Sequence, residues 1–242
     1  MVRKPRPRPD TIASMTDESE AISRAFYTAL TPAGLASRTR TEWDELVLRD
    51  LAELLQPASR ILDVGCGYGR LAVPLAVAGH QVKGLDLSQP MVDAAHENAA
   101  AAGVRIQFVV GSMTDLPYED ASFDAVICLW SAFHELLEVN AQTKAIHEMW
   151  RVLAVDAFGL IEGPSYTSPT AEEIASGHRR GPGHRVRWDL IEGRPNPHYV
   201  HDARSFGARC RAAGVTSFAV LARNWGGRPR LLLRLAKNID GT

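Results

Sequence analysis

Cysteine is scarce in this chain, and so is any surplus of charge. The three cysteines, Cys66, Cys128 and Cys210, are odd in number and far apart, which excludes the paired framework of a small secreted domain and leads us to expect a reducing, cytoplasmic setting. A formal net charge of -1 and a pI near 6.7 argue against a protein that works by coating nucleic acid or an anionic membrane. No apolar run approaches the roughly 18 residues that span a bilayer, and the N-terminus has no hydrophobic signal core, so no membrane partner is expected. Internal repeats are absent. What is present is apolar material: 242 residues with 45% hydrophobic content, enough to bury one sizeable core.

The richest stretch is Arg60-Ile61-Leu62-Asp63-Val64-Gly65-Cys66-Gly67-Tyr68-Gly69-Arg70. It reads as a buried strand, an acidic residue and a glycine turn that opens a helix, with backbone able to approach a ligand where a Cβ would collide. A second carboxylate, Asp86, ends the next apolar strand, Gln81 to Leu85, about 20 residues past the first glycine, the offset at which a ribose diol is held in a βαβ unit. A dinucleotide turn would place its third glycine at position 70, which is Arg70, and Asp63 beside the turn suits a cation better than a pyrophosphate.

Strands and helices alternate through the rest of the chain, which predicts a parallel sheet covered on both faces. The strands are expected over 105–110, 124–130 and 157–163, with a helix from Gln89 to Ala102 between the second and third. The last two, Ser217 to Ala222 and Leu231 to Ala236, are joined by a link so short that they must be antiparallel neighbours. Before the sheet, residues 1–15 read as a flexible basic tail, because cations alternate with prolines at its start. Residues 16–56 read as a helical lid within a single domain spanning 16–242. Residues 177–201 read as a hairpin insertion over the active-site end, its first strand Arg185 to Glu192 and its turn Gly193 to Pro197.

The turn, Asp86 and the reversed final strand together resemble the class I, Rossmann-like S-adenosylmethionine-dependent methyltransferases, of the type that act on small molecules such as natural products and sugars. The resemblance runs from about residue 40 to the C-terminus. It implies an α/β fold with a seven-stranded, mostly parallel sheet, helices on both faces, and S-adenosylmethionine as cofactor. It places Asp63, Gly65, Cys66 and Gly67 near the methionine end, Asp86 on the ribose hydroxyls and Leu87 on the adenine, with Arg70 also among the cofactor-binding residues. Ser112 and Met113 would follow as the adenine-side loop, where many relatives carry an aspartate in place of Ser112. Leu129 and Trp130 would touch the methionine part.

Methyl transfer from a sulfonium is an in-line displacement, so positioning is the main task, and a hydroxyl acceptor also needs a base. His134, just past the fourth strand at the carboxyl edge, is the catalytic candidate, with Tyr27 on the N-terminal helix as a lid residue. Trp188, Tyr199, Arg185 and Arg187 on the hairpin are candidates for the acceptor's aromatic wall and for meeting an anion, together with Arg179, Arg180 and Arg194. His198 and His201, with His178 and His184 nearby, lack carboxylates or cysteines at ligand spacing, so no metal is expected. The function expected is methyl transfer to an amine or hydroxyl of a small molecule, with a homodimer plausible from the exposed hairpin edge. Methylation of RNA or protein, and a non-catalytic cofactor-binding partner, stay open as alternatives, nucleic acid being disfavoured by the charge.

Overall fold

The computed structural model describes residues 9–177, 185–225 and 227–238. Helix α1 (Pro9–Ala36) begins inside the stretch expected to be tail, and it breaks at Thr31, whose φ is 65°. The break has a local cause. Thr31 precedes Pro32, whose ring disfavours α geometry at the residue before it, and the Thr31 hydroxyl accepts the Gly34 N–H at 3.2 Å to cap the short helical piece that follows. Helix α2 (Thr41–Ala52) then leads into the sheet.

The main elements are β1 (Arg60–Val64), α3 (Ala72–Val77), β2 (Gln81–Asp86), α4 (Gln89–Ala101), β3 (Gln107–Val110) and β4 (Phe123–Cys128). A 3₁₀ turn at Ala132–Glu135 precedes α5 (Val139–Val152), β5 (Leu153–Pro164) and α6 (Ala171–Ala175). The chain closes with β6 (Val186–Ile191), β7 (Arg194–Tyr199), α7 (Ala203–Ala212), β8 (Phe218–Trp225) and β9 (Arg228–Lys237). The large sheet has the order β3-β2-β1-β4-β5-β9-β8, with β9 antiparallel to both its neighbours and the other pairs parallel. The seven-stranded, mostly parallel sheet with a reversed last strand is therefore present, and β6 and β7 form the separate hairpin.

Two boundaries differ from the sequence reading. Strand β5 starts at Leu153, directly from α5 with no loop, rather than at Ala157; the register slips between Phe123 and Ala125 of its partner, and Asp156 has φ 59°, the mark of a bulge. In the hairpin the turn is Glu192-Gly193, both with positive φ, as a two-residue turn of the twist-matched type demands. Residues Arg194 to Pro197, expected as the turn, belong to β7. Its prolines are tolerated because a two-stranded ribbon has only edges.

Side chains alternate between the faces as the pleat requires. Leu62 and Val64 of β1, with Val126 and Cys128 of β4, pack into one core with α5 and α7 residues such as Ile146 and Phe206. Ile61, Ala125 and Ile127 point the other way, into a core with Val47, Leu75 and Val92. This two-sided burial leaves the carboxyl ends of β1, β2 and β4 as the open edge where a ligand can enter.

Candidate active site

At that edge the glycine turn is tied to the end of β2. The Gly65 and Cys66 N–H groups donate to the Leu85 carbonyl at 2.7 and 3.1 Å, and the Gly67 N–H donates to the Asp86 carboxylate at 2.8 Å. The other Asp86 oxygen accepts the Ser88 N–H at 2.9 Å, which opens α4. Gly65 has φ 73°, and a Cβ there would lie 2.5 Å from the Ala132 methyl, so only glycine lets the turn pass. Asp63 is 3% exposed. Burial, then the nearby Asp86 charge, pushes its carboxyl up to about 7. Burial raises Asp86 as well.

Above the turn an open cleft lies between the strand ends and helix α1. Every residue assigned by the resemblance to the cofactor lines it: Asp63, Gly65, Cys66, Gly67, Arg70, Asp86, Leu87, Ser112, Met113, Leu129 and Trp130. Helix α1 closes the cleft from above with Glu20, Ser23 and Tyr27. Glu20 accepts a hydrogen bond from the Ser112 hydroxyl, and Tyr27 donates to Glu135, so the lid is latched to both sides of the site.

Glu135 is the residue that sequence reasoning missed, and His134 is the one it misplaced. In a 3₁₀ turn, residues three apart eclipse one another, so Ala132 and Glu135 share the face that lines the cleft. His134 falls on the opposite face, fully buried, against Phe133, His201 and Phe206. It does not reach the cleft, and among the described residues neither of its ring nitrogens has a hydrogen-bond partner. Burial, then the nearby His201, His198 and Arg230, hold its pKa well below the ordinary imidazole range, so it is a neutral packing group. Glu135, by contrast, is pushed up to about 7 by burial, while hydrogen bonds from Tyr27 and Ser23 favour the carboxylate form and limit the rise. A carboxyl poised near neutrality and facing the cleft can take a proton from an acceptor. The one signal in the sequence was an acidic side chain immediately after the histidine.

Two consequences follow from the buried histidine. A Cβ on Gly163 would fall 1.9 Å from the His134 ring, so Gly163→Ala is expected to destabilise the fold by about 3 kcal/mol, read as a lowered urea midpoint with an unchanged slope. His134 and His201, the latter held down to about 3, stay neutral in the folded state while the unfolded chain takes up protons below about pH 6.5. Their contribution to stability is therefore lost as pH falls through 6.5, at about 1.4 kcal/mol per pH unit for each histidine, for His201 down to about pH 3. Asp63 and Glu135, raised to about 7, act in the opposite sense because the folded state protonates first. The difference between wild type and His134→Leu isolates the histidine: stability curves measured at pH 7 and pH 5 should converge toward the variant as the pH drops. Curves that stay parallel would mean that His134 titrates normally.

The hairpin candidates are not brought into the cleft. Arg185 pairs with Asp202 at 2.8 Å and lies 4.1 Å over the Tyr166 ring, and Arg187 pairs with Asp189 at 2.8 Å. Arg194 pairs with Glu192. Tyr199 is buried beside the His201 ring, and Trp188 is half-buried on β6. These side chains hold the hairpin together and neutralise one another instead of presenting charge to an acceptor. His178, Arg179, Arg180 and His184 lie outside the described residues. Among the described residues no three His, Cys, Asp or Glu side chains gather as a metal site would require, and no helix is long and apolar enough to cross a membrane.

The sheet order, the acidic strand end, the glycine turn and the cleft can now be set beside known proteins. The family described as "Methyltransferase domain" matches residues 61–156, from β1 into β5. Over that segment this chain is similar to methyltransferase domains. Demethylmenaquinone methyltransferase of Renibacterium salmoninarum is 34% identical over 145 residues, covering 60% of this chain and 55% of that protein. The 27-O-demethylrifamycin SV methyltransferase of Amycolatopsis mediterranei is 34% identical over 125 residues, covering 50% of this chain and 46% of that one. These alignments span about half of each relative. The crystal structure of Burkholderia thailandensis 1,6-didemethyltoxoflavin-N1-methyltransferase with bound 1,6-didemethyltoxoflavin and S-adenosylhomocysteine overlays with a TM-score of 0.68 at 18% identity, covering 98% of this chain and 93% of that one. At that identity the likeness is one of fold. The matched segment of the methyltransferase domain holds the glycine turn, Asp86 and Glu135, whereas α1, α2, the hairpin and β8–β9 lie outside it.

Proposed function

We propose that this protein is an S-adenosylmethionine-dependent methyltransferase that methylates a small molecule, at a hydroxyl or an amine of a natural-product intermediate. The observation that carries the reading is the pairing of a glycine turn with three carboxylates around one cleft, the buried Asp63 and the half-buried Asp86 and Glu135. Such a site favours a cation. At Gly67, which lines the cleft, a Cβ would meet nothing nearer than Leu35 at 3.8 Å, so the turn leaves backbone open to a ligand and the residues fit the group. When bound, S-adenosylmethionine supplies an electrophilic methyl on a sulfonium centre.

The chain's own contributions follow from its geometry. Asp86, fixed by the Gly67 and Ser88 N–H groups, presents its remaining lone pairs to the ribose hydroxyls. Asp63 supplies negative charge at the turn. Tyr27, Ser23 and Glu20 on α1 lie over the cleft and exclude water from it. Glu135 holds the acceptor and, for a hydroxyl, takes its proton, while the Tyr27 hydroxyl keeps the carboxylate aimed.

Calorimetric titration with S-adenosylmethionine and S-adenosylhomocysteine tests the reading. One-to-one binding is expected, and Asp63 gives the pH dependence its sign: a cation needs the ionised carboxylate, so binding releases a proton below about pH 7 and the affinity of S-adenosylmethionine falls as the pH is lowered. Absence of binding by the wild-type protein would remove the cofactor, and the activity with it.

A further inference from the structure

A second cavity of about 570 Å³ adjoins the cleft and shares Arg70 and Trp130 with it as common walls. Its own lining is unusual: Arg38, Arg40 and Arg230 with Trp43 and Trp225, and no acidic side chain. We propose that this cavity holds the anionic end of the methyl acceptor, a carboxylate carried on a flat aromatic body, while the rest of the acceptor passes Trp130 into the cleft. The proposal rests on the methyltransferase reading for the word acceptor, but the anion site is argued from the cavity alone.

The charge accounting favours an anion. Arg70 is matched by Asp44 at 2.7 Å and Arg230 by the buried Glu162. Arg38 is paired only with Glu192, both about half exposed at 44% and 52%, a pair that solvent largely screens. Arg40 lies over the Trp43 ring at 5.0 Å, and no acidic partner is recorded for it among the described residues. One guanidinium is thus left over and a second is weakly held, in a pocket walled by indole rings. Guanidinium planes recognise carboxylates through paired N–H donors, and the indole faces accept a flat ring by stacking.

The backbone at the shared wall carries a second, independent mark. Trp130 and Ser131 both occupy the left-handed region, at φ 57° and 75°, a conformation that costs a bulky side chain roughly 1–2 kcal/mol. It is held by Glu162, which accepts the Trp130 N–H at 2.8 Å, and by Arg230, which donates to the Ser131 hydroxyl at 2.7 Å. Glu162, Arg230 and the strained pair form one unit that sets the Trp130 ring between the two cavities, with Arg70 stacked on it at 4.2 Å. Among the described residues the buried indole N–H of Trp130 has no hydrogen-bond partner. Strain of this kind, supported by buried charges, is concentrated at ligand sites.

The test uses the full chain, with benzoate as the anionic probe and benzamide as its neutral match, read by calorimetry and by the fluorescence of the lining tryptophans. Benzoate is expected to bind at least about tenfold tighter than benzamide, and the double variant Arg38→Ala/Arg40→Ala to weaken benzoate about ten- to a hundredfold. Both arginines are exposed, so the variant should fold, and circular dichroism with thermal melting checks that it does. Equal binding of the two probes, or benzoate binding untouched by the double variant, overturns the proposal. A carboxylate can also come from the methionine end of the cofactor, and a further arm separates the sources. If the double variant loses affinity for S-adenosylhomocysteine but keeps it for 5′-methylthioadenosine, which has no carboxylate, the anion is the cofactor's and the acceptor assignment is wrong. Failure of wild-type protein to bind S-adenosylhomocysteine sinks the methyltransferase reading instead, and leaves the benzoate arm to judge the cavity by itself.

Discussion

Replacing Asp86 with alanine is expected to weaken S-adenosylhomocysteine binding by about 10²–10⁴-fold, because two charge-assisted hydrogen bonds to a ribose diol, each about 1.5–3 kcal/mol, are lost together. The effect has a second source. The Asp86 carboxylate also holds the Gly67 and Ser88 N–H groups at 2.8 and 2.9 Å, so its removal loosens the glycine turn that shapes the cleft floor. The fold itself should survive, since losing a buried charge whose pKa is raised by desolvation offsets part of the lost hydrogen bonding. Calorimetry with thermal melting of the same variant separates the two readouts. An affinity within about threefold of wild type, in a folded variant, would place the ribose elsewhere and undo the assignment of the cleft.

Glu135→Gln is expected to lower kcat for a hydroxyl acceptor by about 10²–10³-fold with little change in cofactor affinity, since glutamine keeps the shape and the Tyr27 contact but cannot take a proton. The wild-type rate should rise with pH to a plateau above about 7, the value to which burial pushes this carboxyl. Tyr27 supports Glu135 through a hydrogen bond that favours the ionised form, so Tyr27→Phe should move that limb to higher pH while sparing most of the plateau rate. A purely structural tyrosine would lower the rate without moving the limb. His134→Leu supplies the contrast: it should keep the pH profile, because the imidazole lies in the core and not in the cleft. If instead the histidine variant loses the rate and the glutamate variant keeps it, our choice between these adjacent residues is reversed. An amine acceptor, which attacks without a base once neutral, would show a much smaller Glu135 effect, so the size of the loss also reports the acceptor's chemistry.

Local patterns carried much of this far without coordinates. The run Ile61-Leu62-Asp63-Val64 with three glycines behind it, and Asp86 at the end of the next strand, depend on short-range rules: β-branched residues in a buried strand, glycine where φ is positive, a carboxylate at the strand's end. Those rules held, and the cofactor-side residues line one cleft. The short link between the last strands likewise left only one pairing, antiparallel, which is the pairing observed. The sequence by itself therefore determined the sheet, its reversed last strand and the floor of the site. Three-dimensional packing decided the rest, because the relevant choices turn on angles that composition does not encode. A 3₁₀ rather than an α turn after β4 sends Glu135 into the cleft and His134 into the core. Salt bridges formed within the hairpin and to Asp202 neutralise arginines that looked available in one dimension. And Arg38, Arg40, Trp225 and Arg230, separated by up to 192 positions, meet in one cavity only because β8 and β9 fold back beside β5, next to the helix α2 that precedes the sheet.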